Sequence, residues 1–172
     1  GHDDELLQLA PLYAGDTIYA ASADGVVMSV VTENGDVQWE RELDDRIFAG
    51  PGADTRQLYV VSSNAELIAL SREDGSEQWR TELPTEVLAA PQSNGSLVAV
   101  QTIDGRLISF NASSGEQLWQ YQAQVPALTL RTGAAPLVGG DIVIGSFSNG
   151  RVIALSADAG QPVWQYQVGQ PQ

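Results

Sequence analysis

The chain has 172 residues, no cysteine, one histidine and no lysine, and its eight arginines stand against 22 acidic residues, so the net charge is −14. This length predicts one domain or part of a larger one. Scattered arginines argue against nucleic-acid or anionic-lipid binding, missing cysteine excludes disulfides and thiolate chemistry, and no apolar run approaches the ~20 residues of a membrane-spanning helix.

The N-terminal residues give no evidence of a targeting segment. Gly1 and His2 look like a remnant of cloning, and Met28 is the single methionine. We therefore expect the chain to begin after any natural start, with a leader, if one exists, out of view.

The first part of the chain reads as short strands. Residues Thr17–Ala21, Val26–Val30 and Val37–Glu40 are rich in β-branched and aromatic side chains. Runs of this length are too short for helices and typical of strands. Asp24-Gly25 and Asn34-Gly35 lie between them and suit tight hairpins, because both turn positions must tolerate positive φ.

The same pattern recurs about every 40 residues. Each tryptophan follows a glycine by four residues, and each lies 28 residues after a proline that opens its unit. The prolines are Pro11, Pro51, Pro91 and Pro136, the glycines are Gly35, Gly75, Gly115 and Gly160, and the tryptophans are Trp39, Trp79, Trp119 and Trp164. A fixed period of this length indicates a repeat architecture.

Four antiparallel strands per unit describe a propeller blade. We therefore predict an all-β fold, a β-propeller of four-stranded antiparallel blades with four blades present. The expected blades span residues 3–43, 44–83, 84–124 and 125–169 within one domain, 1–172. The tryptophans are expected to pack between blades, since an apolar residue repeated with the structural period normally belongs to the core.

One connector breaks the repeat. Twelve residues separate Trp39 from the next proline and Trp79 from the one after, but 17 separate Trp119 from Pro136. The five extra residues therefore fall between the third and fourth units, and such insertions map to loops that often form a binding face.

Within this connector, the segment 125–133 carries Leu128, Leu130 and Arg131. Apolar anchors beside a guanidinium can form a small contact surface for a partner with a carboxylate. The alternative is an ordinary strand edge, with both leucines in a blade core and Arg131 solvated.

The sequence offers little for catalysis. The only histidine, His2, lies at the terminus, so Ser/His/Asp and histidine-metal sites inside the fold are excluded. Paired acids such as Asp44-Asp45 and Glu73-Asp74 fall at strand ends or turns, where solvated charge is ordinary. We expect no enzymatic activity, no cofactor and no metal.

Two stretches carry a family resemblance. Residues 67–79, LIALSREDGSEQW, resemble the pyrroloquinoline-quinone-type propeller repeat. Residues 126–131, PALTLR, with Ala135-Pro136 and residues 149–152, NGRV, resemble the BamB family, lipoprotein subunits of the outer-membrane β-barrel assembly complex. The resemblance implies half of an eight-bladed ring, in a protein lipid-anchored at the periplasmic face of the outer membrane, although the anchoring cysteine is absent from this sequence.

The same resemblance implies a partner and a role. In that family this loop contacts the periplasmic POTRA domains of BamA, which places the partner-binding residues on Leu128, Leu130 and Arg131. The implied function is a non-enzymatic scaffold that assists insertion of β-barrel proteins into the outer membrane. Contact with unfolded outer-membrane proteins stays open.

Other interpretations also stay open. Related repeats occur in quinone-dependent dehydrogenases and in extracytoplasmic sensors, so a module of either kind is the alternative function. Half a ring leaves two blade faces uncovered, and two copies could complete eight blades as a homodimer. A compact four-bladed closure is the rival arrangement.

Overall fold

The computed structural model describes residues 9–124 and 134–169. Those residues form strands and turns, and they contain no helix able to cross a membrane. The strands are β1 (Leu12–Ala14), β2 (Thr17–Ala21), β3 (Val26–Val31), β4 (Val37–Glu42), β5 (Ile47–Ala53), β6 (Gln57–Ser62), β7 (Glu66–Ser71), β8 (Glu77–Glu82), β9 (Gln92–Ser93), β10 (Leu97–Gln101), β11 (Arg106–Asn111), β12 (Gln117–Gln122), β13 (Leu137–Val138), β14 (Ile142–Ser146), β15 (Arg151–Ser156) and β16 (Pro162–Gln167).

The strands form four antiparallel sheets, each a meander of four consecutive strands. We call them blades 1 to 4. The first strands of successive blades, β1, β5, β9 and β13, contact one another in chain order. The blades therefore follow each other around an axis lined by their first strands, and the predicted all-β propeller of four-stranded blades is confirmed.

The turns lie where the sequence predicted them. Gly25 and Gly35 both have positive φ, of 99° and 74°, in the two hairpins of blade 1. Blade 2 carries Ala65 at the position of Gly25, and Ala65 adopts a φ of 55°, a conformation that L side chains rarely take. The repeat position therefore determines the backbone here, against the preference of the residue.

Burial differs between inner and end blades. In blade 2, nearly all of β6 and β7 is buried because both faces of the sheet are covered by neighbouring blades. In blade 1, residues of β2 and β3 alternate between buried and half-buried, as expected for strands covered on one side. The core therefore consists of successive interblade layers.

Each interblade layer is built around a tryptophan lying on a glycine of the next blade. A Cβ added to Gly75 would lie 2.5 Å from Trp39, and one added to Gly115 would lie 2.5 Å from Trp79. Gly160 has the same relation to Trp119. The predicted interblade packing of these three tryptophans is confirmed, and glycine is required because any side chain would occupy the space of the ring.

The indole N–H groups add a repeated hydrogen bond. Trp39 Nε1 donates to the carbonyl of Arg72 over 2.9 Å, and Trp79 Nε1 donates to the carbonyl of Ala112 over 2.8 Å. Trp119 Nε1 donates to the carbonyl of Ala157 over 2.8 Å. Each acceptor lies three residues before the glycine under the ring, so one turn supplies both the apolar platform and the polar partner.

This packing predicts that Gly115→Ala is strongly destabilising. The new methyl group would collide with Trp79, and its φ of 76° is unfavourable for alanine. We expect the free energy of unfolding to fall by about 2–4 kcal/mol, combining overpacking with left-handed strain. Urea unfolding followed by tryptophan fluorescence measures the change.

Gly15→Ala is the matched control, because Gly15 has a similar φ of 68° but no atom within 4 Å of an added Cβ. It should lose only about 1 kcal/mol from backbone strain. Equal losses in the two variants would show that the tryptophan contact contributes nothing.

Candidate functional site

The residues predicted to bind a partner, Leu128, Leu130 and Arg131, lie in the segment 125–133, outside the described residues. The residues on both sides of that segment are described. They show where the connector leaves blade 3 and where it enters blade 4.

The connector leaves blade 3 from a fixed point. Ala123 is buried, and its N–H donates to the carbonyl of Gly105 over 2.9 Å. The equivalent residues Leu43 and Leu83 make the same bond, to Gly25 and Ala65. All three connectors between described blades therefore start from one repeated anchor, beside the turn between the second and third strands.

The connector enters blade 4 at a second fixed point. Pro136 is buried, and the short strand β13 that follows pairs with β14. After β13, the carbonyl of Gly139 accepts a hydrogen bond from Asn94 Nδ2 of blade 3 over 2.9 Å. The connector that carries the five-residue insertion therefore follows β12, the last strand of blade 3, and precedes β13, the first strand of blade 4.

Charged side chains on the same side of the blades pair within the chain. Arg80 lies 2.6 Å from Asp45, 2.7 Å from Glu77 and 3.5 Å from Glu66, measured between nitrogen and oxygen atoms. The hydrogen bond that Arg80 donates to Glu77 has the largest effect and raises the pKa of Arg80. Burial acts in the opposite direction, and the hydrogen bond that Arg80 donates to Asp45 adds to the increase. Because its donors are occupied by acids of the chain, Arg80 is a poor candidate for binding a partner.

The opposite side of the blades carries a polar cavity that sequence reasoning missed. It has a volume of about 570 Å³, and its lining includes Asp54, Gln57, Arg72 and Ser113. These residues come from blades 2 and 3, at the turns between strands. The cavity therefore lies at an interblade seam.

Asp54 is the centre of a hydrogen-bond network at this seam. Its carboxylate accepts hydrogen bonds from the hydroxyls of Tyr59 over 2.5 Å and Ser93 over 2.8 Å. It also accepts from the amides of Arg56 and Gln57, over 2.8 and 2.9 Å. Four donors from two blades therefore converge on one side chain.

The network sets the protonation of its members. Burial acts to raise the pKa of Asp54, but the hydrogen bonds from Tyr59, Ser93 and two amides outweigh it and hold the pKa below the usual value. Burial, together with the hydrogen bond to Asp54, raises the pKa of Tyr59. The carboxylate is thus a charged acceptor at neutral pH.

Arg72 extends the network to blade 1. Its guanidinium donates to the Asp54 carbonyl over 2.5 Å and to the Tyr19 hydroxyl over 2.9 Å, and it stacks over the Tyr19 ring at 5.1 Å. The cluster thus links three blades and is satisfied by the chain itself. Within residues 9–124 and 134–169, no group of three or more acidic, histidine or cysteine residues could hold a metal ion.

The sequence held a weak signal for this cluster. Asp54 occupies the turn between the first two strands of blade 2, and Asn94 occupies the same turn in blade 3, where its Oδ1 accepts from the amides of Ser96 and Leu97. An Asx turn at a repeat position could have been read from the sequence. Its bonds to other blades could not.

Comparison with known proteins gives one family match and several similar proteins. The family model described as "Outer membrane protein assembly factor BamB" matches residues 43–172. Proteins with that name from Marinobacter adhaerens and Pseudomonas aeruginosa are 63% identical over 58 residues and 44% identical over 52 residues. Those alignments cover 34% and 30% of this chain, and 15% and 14% of the two relatives.

A solved structure extends the similarity to BamB over most of the chain. The crystal structure of BamB from Moraxella catarrhalis superposes with a TM-score of 0.87 and 30% identity, over 94% of this chain and 49% of that one. The present chain thus spans about half the length of that protein. A quinohemoprotein alcohol dehydrogenase from Comamonas testosteroni, with a TM-score of 0.69 and 16% identity over 92% of this chain and 34% of that one, shares the fold alone.

The Asp54 network predicts a pH-dependent stability difference. Asp54→Asn should lower the free energy of unfolding at neutral pH by about 1–2 kcal/mol, because a charged acceptor of four hydrogen bonds is lost at a partly exposed site. The folded pKa lies below the unfolded value of 3.8, so this stabilisation is present above 3.8 and disappears as the pH falls through the folded pKa.

Urea unfolding of the wild type and Asp54→Asn at pH values from about 7 to about 2 tests this prediction, and the difference should close at the acidic end. Asp24→Asn, at an exposed turn, is the control and should match the wild type throughout. A difference that persists at the lowest pH would contradict the role given to the carboxylate.

Proposed function

The chain belongs to the family of the outer membrane protein assembly factor BamB, and we propose that it acts as a non-enzymatic scaffold in outer-membrane protein assembly. Its proposed location is the periplasmic face of the outer membrane. Its proposed partner is the POTRA region of BamA, bound through the 125–133 loop. Since the chain spans about half of the Moraxella catarrhalis protein, these properties of a whole assembly factor are proposals for this chain.

The proposal rests on the five-residue insertion in the connector between blades 3 and 4, since the other two connectors between blades have equal length. The family model spans the inserted segment. The connector starts at Ala123 and ends at Pro136, both buried in packed blades. A connector whose two ends are fixed in packed blades can accept an insertion that presents side chains to a partner, because the repeated units on either side keep their length.

The residue types in the loop suit a protein interface. Leu128 and Leu130 provide apolar anchors that gain free energy when a partner covers them. Arg131 has a planar guanidinium that can pair with a carboxylate through two parallel hydrogen bonds. We therefore assign the contact with the POTRA region to these three side chains.

The charge of the chain also bears on its partner. With a net charge of −14, the chain repels acidic proteins at long range and attracts basic surfaces. Arg131 would act at short range, on one carboxylate within the contact. Because the rest of the protein is acidic, Arg131 contributes to the choice of the binding site more than to the overall attraction between the two partners.

The scaffold role is favoured over the dehydrogenase alternative. The relatives from Marinobacter adhaerens and Pseudomonas aeruginosa are named assembly factors. Similarity to the quinohemoprotein alcohol dehydrogenase is limited to 16% identity and concerns the fold. Asp54, the most highly connected acid of the polar cavity, is satisfied by groups of the chain itself, as expected for a structural role.

The proposal predicts saturable binding between this chain and the POTRA region of BamA from the same organism. Arg131→Glu and Leu130→Ala should each weaken binding by more than about 2 kcal/mol, a factor of roughly 30, as expected for residues at the centre of a small contact. Isothermal titration calorimetry measures the loss.

Two variants outside the loop serve as controls. Arg46→Glu makes the same charge change in the connector between blades 1 and 2, and Leu118→Ala truncates an exposed leucine of β12. Both should bind like the wild type. Equal weakening by Arg46→Glu and Arg131→Glu would assign the effect to overall charge, and absence of binding by the folded wild type would contradict loop-mediated recognition.

A further inference from the structure

Two arginines, Arg56 and Arg72, line the polar cavity between blades 2 and 3. Arg56 belongs to the turn between β5 and β6, and Arg72 belongs to the turn between β7 and β8. The amide of Arg72 donates to the carbonyl of Arg56 over 3.0 Å, so the two turns lie side by side. Blades 2 and 3 each have a described blade on both sides, so this cavity is an internal feature of the array.

The pair of arginines is peculiar to blade 2. The same amide-to-carbonyl bond joins the equivalent turn residues of the other blades, which are Thr32 and Asp16, Ala112 and Ser96, and Ala157 and Asp141. The position of Arg56 is thus acidic in blades 1 and 4, and the position of Arg72 is uncharged in all three other blades. The repeat therefore does not require either cation, and blade 2 carries both.

Blade 3 contributes an uncharged wall to the cavity. Its lining residues are Gly95 and Ser113. The positions equivalent to Ser113 carry acids in the other blades, namely Glu33, Glu73 and Asp158. The side chain that blade 3 presents here thus lacks the negative charge found at this position elsewhere in the repeat.

Two acids of blade 2 also line the cavity, Asp54 and Glu73. The Asp54 carboxylate is occupied by four donors of the chain, and Glu73 is exposed at its turn. Among the described residues, no ion pair joins either acid to Arg56 or Arg72. At physiological ionic strength the Debye length is about 8 Å, so these local charges affect a bound ion more than the distant acids do.

The two guanidinium groups differ in how they are held. Arg72 is fixed by bonds from Nε to the Tyr19 hydroxyl and from Nη1 to the Asp54 carbonyl. Within residues 9–124 and 134–169, its Nη2 has no acceptor, and the exposed side chain of Arg56 makes no hydrogen bond or ion pair. Free guanidinium donors suit a carboxylate, which can accept two parallel hydrogen bonds from one arginine.

The cavity also offers room and neutral polar groups. Its volume of about 570 Å³ lies within the roughly 300–1,000 Å³ of small-molecule sites. The hydroxyls of Thr55 and Ser113, both in the lining, have no hydrogen-bond partner in the part of the chain that the structure describes. A ligand that fits these groups carries a carboxylate together with hydroxyl or amide groups.

From these observations we propose that the cavity between blades 2 and 3 binds the carboxylate of a small polar molecule, either a free hydroxy acid or the C-terminus of a short peptide. Arg56 pairs with the carboxylate, and Arg72 adds positive charge beside it. The hydroxyls of Thr55 and Ser113 bond to the other polar groups of the ligand. The site lies on the side of the blades opposite the connector anchors and is independent of the proposed binding to BamA.

Two matched pairs of small molecules test the site by nuclear magnetic resonance of the chain. The pairs are glycolate with glycolamide, and N-acetylglycylglycine with its C-terminal amide. At least one acid should shift the backbone amides of Arg56, Arg72 and Ser113 with a dissociation constant on the order of 1 mM, ordinary for a small ligand. The acid that binds more tightly identifies the source of the carboxylate.

The neutral amides should leave these signals unchanged. Equal shifts from an acid and its amide would overturn carboxylate recognition. Absence of saturable shifts with both acids would overturn the site.

Variants based on the repeat test the residues. Arg56→Asp introduces the residue that blades 1 and 4 carry at this position, so the chain should fold, and its affinity for the acid should fall at least tenfold. Arg46→Asp makes the same charge change at an exposed arginine of the connector between blades 1 and 2 and should bind like the wild type. Unchanged affinity in Arg56→Asp, or equal weakening by both variants, would overturn the assignment.

Ser113→Glu tests the wall of blade 3 without removing an arginine. It introduces the type of side chain found at this position in the other blades and should weaken binding at least fivefold through repulsion of the carboxylate. Circular dichroism verifies that the variants are folded. Wild-type affinity in a folded Ser113→Glu chain would overturn the placement of the ligand between the two blades.

Discussion

A tryptophan lying on the glycine of the next blade, with its indole N–H on a carbonyl three residues earlier, is the contact on which this structure depends. It combines burial of a large aromatic surface with satisfaction of the one polar group that the ring carries. The glycine is essential to it, as shown by the 2.5 Å separation between an added Cβ at Gly75 and Trp39. Because donor and acceptor lie in different blades, the contact fixes the spacing and orientation of neighbouring sheets.

The interblade contacts and the connectors between blades involve different residues, which explains where insertions are tolerated. The interblade layers involve strands and the turns before the tryptophans, whereas the connector between Trp119 and Pro136 carries five additional residues without changing the length of the unit that follows. The insertion is anchored at Ala123 and Pro136, which keep the positions seen at the other connectors. A repeat architecture can therefore lengthen one connector while its core stays regular.

Much of the fold could be predicted because the same strand and turn patterns, each weak alone, recur in all four units. The predicted strand Thr17–Ala21 coincides with β2, and the turns at Gly25 and Gly35 have the positive φ that the glycines suggested. The exposure of Trp164 was not predicted from its repeat position, since burial depends on a neighbouring blade and not on the local pattern.

The site was less accessible to prediction. The Asp54 network joins residues as far apart as Ser93 and involves donors from another blade, which no local pattern reveals. The assignment of Leu128, Leu130 and Arg131 came from the family resemblance, and it concerns a segment outside the described residues. The alternating leucines alone allowed an ordinary strand edge as well.

Hydrogen exchange of the four indole N–H groups tests the central contact most directly. It can be followed by nuclear magnetic resonance of the wild-type chain. The account predicts slow exchange for Trp39, Trp79 and Trp119, whose N–H groups are bonded to the next blade, and fast exchange for Trp164. Exchange of all four at the rate of Trp164 would contradict the interblade bond as the organising interaction of the fold.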